Sequence, residues 1–188
     1  MFFETHSLMG HLKMILFVGL ITCTTAMNTQ AQQTIPCTSD TNFRTLDFLI
    51  GSWTVKSTDG SRDIATSTFK KEAKGCAITE HWEGINGFQG YSLFYYSPMK
   101  SNWFQVWITE APRARGGLKE KEMDMYPPLN SVVFKTTYYT NNGTQMLEKT
   151  TYTRTSRATI LHQIEVSTNG GSDWSVSFDA EYHRKRSL

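Results

Sequence analysis

Two ionisable residues sit among apolar neighbours: Glu80 within Ile78-Thr79-Glu80-His81-Trp82, and His162 within Ile160-Leu161-His162-Gln163-Ile164. Alternate side chains of an extended chain share a face. Glu80 therefore falls in line with Cys76, Ile78 and Trp82, and His162 with Ile160, Ile164 and Val166. Burial raises the pKa of a lone carboxyl and lowers that of a lone imidazole, whereas pairing opposes both shifts. Groups tuned in this way serve as general acid and base or as polar anchors for a ligand. The same residues could also form a hydrogen bond that only satisfies a core. Glu80 and His162 are the catalytic candidates, and no nucleophile elbow, phosphate-binding loop or paired-carboxylate spacing accompanies them. Metal-ligand spacings such as C-x-x-C or H-E-x-x-H are absent from the sequence, and nothing in it implies a cofactor.

Aromatic abundance gives the second clue. Five Trp and eight Tyr suit a cavity lined with rings and hydroxyls, which would hold an apolar or aromatic molecule with one polar handle. The candidate ligand-binding residues are Glu80, Trp82, Tyr91, Tyr95, Gln105, Trp107 and His162. Trp103, Gln105 and Trp107 share one face of their segment. For the segment Gln89–Ser97, Tyr91, Leu93 and Tyr95 form one candidate inner face and Ser92, Phe94 and Tyr96 the other, since both are largely apolar.

These residues lie on a train of short alternating segments: 52–58, 62–72, 76–83, 89–97, 102–109, 118–125, 131–140, 145–155, 158–168 and 173–184. Turn signals separate them, among them Asp59-Gly60, Asn86-Gly87, Asn141-Asn142-Gly143 and Asn169-Gly170-Gly171. Every link is short, which favours an all-β, single antiparallel up-and-down barrel of about ten strands. Ahead of it, Phe43, Leu46, Phe48, Leu49 and Ile50 form an apolar cluster. That cluster predicts a short helical turn capped by Thr41 or Asn42, ended by Gly51 and packed on one end of the barrel. The charged segment 118–125, bracketed by Gly and Pro within residues 110–130, reads as an edge strand or as a flap over the mouth. Charge on both faces, as in Lys70-Lys71-Glu72 and Lys119-Glu120-Lys121-Glu122, argues against a lipid-facing barrel and against stable membrane insertion.

The N-terminus reads as an export signal: Lys13, an apolar run from Met14 to Ile21, then small residues near Ala31. Its apolar run is shorter than the ~20 residues a membrane span needs. The expected organisation is a cleaved signal peptide at 1–31, a flexible lead-in at 32–42 and the barrel domain at 43–186, in the periplasm or secreted. The formal net charge is +2, and Lys and Arg are spread out except at Arg184-Lys185-Arg186. Nucleic acid is therefore not an expected partner. Cys37 and Cys76 could pair as a disulfide in an oxidising compartment or remain free thiols.

Several pieces occur in order: Phe43-x-x-Leu46-x-Phe48-Leu49-Ile50-Gly51-Ser52-Trp53, Glu80-His81-Trp82-Glu83-Gly84, and Gly90 through Pro98. Asn102 through Trp107 and Glu165 through Trp174 complete the series. Together they resemble the DUF1579-type family within the calycin barrels, which are lipocalin-like and fatty-acid-binding-like. Asn169 stands where that pattern usually has Asp, and the histidine motif of the haem-binding nitrobindin branch has no match here. The resemblance covers about residues 43–184 and implies a calycin barrel with Glu at position 80. It also implies that Trp53 is a floor plate covered by a cation from the last strand. Period-two alternation puts Trp174, Val176, Phe178, Ala180, Tyr182 and Arg184 on one face, so Arg184 is the expected cation.

Three functions fit. The first is an exported barrel that binds a small hydrophobic or aromatic molecule without turnover. The second is a calycin-type enzyme (isomerase, cyclase or hydrolase) with Glu80 and His162 as acid and base. The third is a solid-core envelope structural or stress protein.

Overall fold

The structure, a computed structural model, describes residues 36–111 and 117–186. The signal segment expected at 1–31 lies outside them. Ten strands follow one another: β1 (Gly51–Ser57), β2 (Asp63–Glu72), β3 (Ala77–Gly84), β4 (Gln89–Ser97) and β5 (Asn102–Thr109) form the first half. The second half is β6 (Leu118–Met123), β7 (Ser131–Tyr139), β8 (Gln145–Arg154), β9 (Thr159–Ser167) and β10 (Ser175–Arg184). Each strand pairs antiparallel with its sequence neighbours, and β1 pairs with β10 to close the barrel. The all-β, up-and-down expectation holds, and the architecture is consistent with the calycin fold. No helix among the described residues is long and apolar enough to cross a membrane.

Local chemistry explains the turns. Gly60 and Gly143 adopt φ of 68° and 81° in the β1–β2 and β7–β8 hairpins, in the left-handed region that only glycine enters without steric cost. Each donates its N–H back across the turn, to Ser57 and Thr140 respectively.

The short helical turn expected ahead of the barrel is present. Asp40, rather than Thr41 or Asn42, supplies the cap, accepting from Asn42 N at 2.8 Å. Two 3-10 turns follow, Thr41–Arg44 and Asp47–Leu49. The segment expected as a loose lead-in carries a one-turn helix, α1 (Pro36–Ser39), and a disulfide joining Cys37 to Cys76 at the start of β3. Phe43, Leu46 and Leu49 are buried and close one end of the barrel. Trp53 Nε1 donates to Leu49 O and Trp103 Nε1 to Asn42 O, so the plug is hydrogen-bonded to the wall as well as packed on it.

The closing seam lies directly over this plug. Trp53 and Arg184 are register partners, and the guanidinium sits 4.2 Å from the centroid of the buried indole. Arg184 also donates to Ile50 O (2.6 Å), Phe48 O (3.1 Å) and Arg157 O (3.3 Å). A Cβ on Gly51, whose φ is 133°, would come within 2.4 Å of Arg184 Nη1. Glycine at 51 thus serves both a backbone conformation and a close approach.

Two sequence expectations need correction. Segment 118–125 is not a flap: its Leu118–Met123 part is β6, a wall strand paired with β5 at five positions and with β7 at two, so that only Leu118–Lys121 keep an edge-like side. Of the presumed lid, residues 112–116 lie outside the described residues. On β10, a bulge between Val176 and Phe178 breaks the alternation. Val176 is consequently exposed and Trp174, which precedes the strand, takes Lys149 on its ring. Phe178, Ala180, Tyr182 and Arg184, beyond the bulge, keep the parity deduced for that face.

Arg184→Ala removes a cation–π contact of about 0.5–2 kcal/mol together with charged hydrogen bonds to the plug. We expect a loss of about 2–4 kcal/mol in denaturant unfolding and an altered Trp emission spectrum. Unchanged stability and emission would show that the seam does not depend on the residue.

Candidate functional site

Inward-facing residues change character along the barrel. Near the plug they are apolar: Phe69, Ile78, Phe94, Trp103, Phe134, Tyr152 and Ile160 are buried there. One pleat further from the plug, polar residues take over. Phe94 is followed inward by Ser92, Ile78 by Glu80, Trp103 by Gln105, Tyr152 by Thr150 and Ile160 by His162, and all five of these polar residues are buried. Beyond this belt a cavity of about 150 Å³ opens between Trp82, Trp107, Ile164 and Phe178 on the apolar side and Glu80, Gln105, Lys119, Lys121 and His162 on the polar side. Gly90 makes room for the Trp107 indole, since a Cβ there would lie 2.2 Å from the ring.

Glu80 is 1% exposed and accepts from Ser67 Oγ and Ser92 Oγ, both at 2.8 Å. Ser92 in turn accepts from Gln105 Nε2 at 3.0 Å. Burial raises the Glu80 pKa, opposed by the two serine hydroxyls and by Lys121. His162 stacks on Tyr152, ring centroids 4.2 Å apart, and its Nδ1 lies 3.0 Å from the Tyr182 hydroxyl. Burial, with Lys121 nearby, lowers its pKa to about 3, so the ring is neutral at neutral pH. The contact between His162 Nδ1 and the Tyr182 hydroxyl runs in either direction according to the ring tautomer. His162 Nε2 and Gln105 Oε1 are buried with no hydrogen-bond partner among the described residues.

The charged part of the wall comes from β6 and β8. Lys121 Nζ is 2.8 Å from Glu148 Oε1 and 2.6 Å from Thr150 Oγ1, and Lys119 pairs with the other Glu148 oxygen. The side chains of Lys121 and Glu148 are 3% and 1% exposed, so this is a buried pair. Burial lowers the Lys121 pKa against the pull of Glu148. Glu148 keeps a lowered pKa: burial, its largest single influence, acts upward, but the two ammoniums together outweigh it. Beside these lysines the wall is thin. Among the described residues β6 and β7 pair at only Glu122↔Lys135 and Met123↔Phe134, so Leu118–Lys121 have no ladder on that side.

Of the residues singled out from sequence, Glu80, Trp82, Gln105, Trp107 and His162 line this one cavity. Tyr91 and Tyr95 do not; they lie on the outer surface, 52% and 39% exposed, and Ser92, Phe94 and Tyr96 form the inner set of β4. Glu80 and His162 share the cavity, but their hydrogen bonds go to serines and to a tyrosine rather than to each other. Sequence reasoning missed Lys119, Lys121, Glu148, Thr150, Tyr152 and Tyr182. The sign alternation of Lys119-Glu120-Lys121-Glu122 is the signal that could have found the lysines, because period two sends both cations to one face. Compared with protein-family models and with curated proteins, the chain matches none of them.

The His162 environment carries a sign that can be tested. A neutral ring held at about 3 binds no proton between that value and 6.5, whereas the unfolded chain does. Stability therefore falls as pH drops through this window, by about 1.4 kcal/mol per pH unit. Glu80 acts in the same range with the opposite sign: its raised pKa favours the fold at low pH, and that contribution is lost as pH rises. His162→Gln keeps a partner for Tyr182 but cannot titrate. In urea unfolding it should lose about 2–3 kcal/mol less than the natural protein between about pH 6 and pH 4. Parallel stability curves would contradict a buried neutral imidazole.

Proposed function

We propose that the protein is an exported barrel that binds a small hydrophobic or aromatic molecule and does not turn it over, within the DUF1579-type branch of the calycin barrels. One observation carries this reading: two polar atoms, His162 Nε2 and Gln105 Oε1, are buried without a partner among the described residues beside an aromatic-walled cavity. An unpaired buried polar group costs about 1–3 kcal/mol, and a ligand supplying the missing partners offsets that cost. The size supports a ligand of about one ring, since an engineered apolar cavity of about 150 Å³ in another protein takes up benzene. Space of this kind also weighs against a barrel packed solid.

The enzymatic alternative has less support. Both Glu80 oxygens are engaged by hydroxyls and His162 is held neutral far from its ordinary pKa, which suits anchoring better than proton shuttling near pH 7. Export is supported by the Lys13 and Met14–Ile21 pattern and by the Cys37–Cys76 disulfide, a bond typical of oxidising compartments. The periplasm or the extracellular space is the proposed location.

Trp82 and Trp107 on the cavity wall give a direct readout. Titration with toluene, benzyl alcohol, benzamide, benzoate and haem should quench Trp fluorescence saturably for one-ring compounds and not for haem. Trp107→Phe should reduce the amplitude. If none of the one-ring compounds binds, the reading is wrong.

A further inference from the structure

The polar half of the cavity is rich in donors and in positive charge. Lys119 and Lys121, on one face of β6, share the single carboxylate of Glu148. Lys121 gives one further N–H to Thr150, and Lys119 lies 4.9 Å from the centroid of the Tyr138 ring. An ammonium has three hydrogens, so both lysines keep donors beyond these partners. His162 Nε2, which has no partner among the described residues, adds a further polar atom on the same lining. The remaining acid on that lining, Glu80, is occupied on both oxygens by Ser67 and Ser92.

Lys121 is buried and Lys119 half-buried, and two cations facing one carboxylate away from bulk water are costly unless a second anion completes the set. Charge-assisted hydrogen bonds from ammonium to carboxylate are among the stronger polar contacts available to such a site. Trp107 is the cross-strand neighbour of Lys119, and with Trp82 and Phe178 it gives the same lining flat surfaces suited to a ring.

We propose that the natural ligand is a one-ring aromatic carboxylate, its carboxylate held by Lys119 and Lys121 and its ring by Trp82, Trp107 and Phe178. This rests on the binding function proposed above and specifies its ligand. The same lysines border the stretch of β6 without a β7 ladder, which places the carboxylate at the thin part of the wall and the ring inward.

Isothermal titration of the purified protein with benzoate, benzamide and toluene tests it. Benzoate should bind about tenfold or more tightly than either neutral compound, as one charged hydrogen bond allows. Lys121→Met should abolish that preference; because it removes a buried ion-pair partner, Lys119→Met is the second variant, leaving Glu148 paired with Lys121. In Lys119→Met, benzoate should weaken by about tenfold while toluene binding stays the same. Equal affinity for benzoate and benzamide would overturn the carboxylate assignment and leave the binding function standing. Full benzoate preference in a folded Lys119→Met protein would also overturn it. Failure of all three compounds to bind would instead remove the binding function itself.

Discussion

Closure of β1 on β10 is the constraint on which the interior depends. A ten-strand meander with an open seam has two unpaired edges and no inside. Here the seam is closed by backbone pairing from Trp53↔Arg184 to Ser57↔Ala180. Arg184 then ties both strands to the plug by capping Trp53 and bonding the carbonyls of Phe48 and Ile50. The Cys37–Cys76 disulfide fastens the same plug to the start of β3 from the other side. One end of the barrel is thus sealed by apolar packing, which leaves the space towards the other end to be lined by polar groups.

That division makes a charged interior tolerable. Glu80, Lys121, Glu148 and His162 are each buried, and isolated ions in that position would destabilise the fold by several kcal/mol each. Each instead has named partners: hydroxyls for Glu80, a shared carboxylate for the lysines, and a tyrosine with a stacked ring for His162. The atoms left over, on His162 and Gln105 and on the lysine ammoniums, all face the cavity. The belt therefore works as an inner support that orients donors towards one small volume.

The outer architecture was largely legible from the chain. Strand positions follow from alternation and from turns such as Asp59-Gly60 and Asn141-Asn142-Gly143. The inward placement of Glu80, Trp82, Gln105, Trp107 and His162 follows from single-strand parity on strands whose two faces differ. Parity gave no answer for β4, where both faces are apolar, and Tyr91 and Tyr95 lie outside while Ser92 and Phe94 lie inside. It misled on β10, where the bulge after Val176 resets the alternation.

The sequence by itself determined the meander, its turns and the identity of two interior ionisable residues, because these depend on local periodicity and on neighbours a few residues away. The Trp53–Arg184 contact, between the first and last strands, follows from the family resemblance rather than from periodicity alone. Only the tertiary structure decided that Lys119 and Lys121 on β6 meet Glu148 and Thr150 on β8. The partners are 27 to 29 positions apart, on strands that are not adjacent in the sheet, and only curvature of the closed wall brings them together. A charged strand such as β6 looks solvent-facing on its own, since the cost of burying its lysines is offset by groups that the local sequence does not contain.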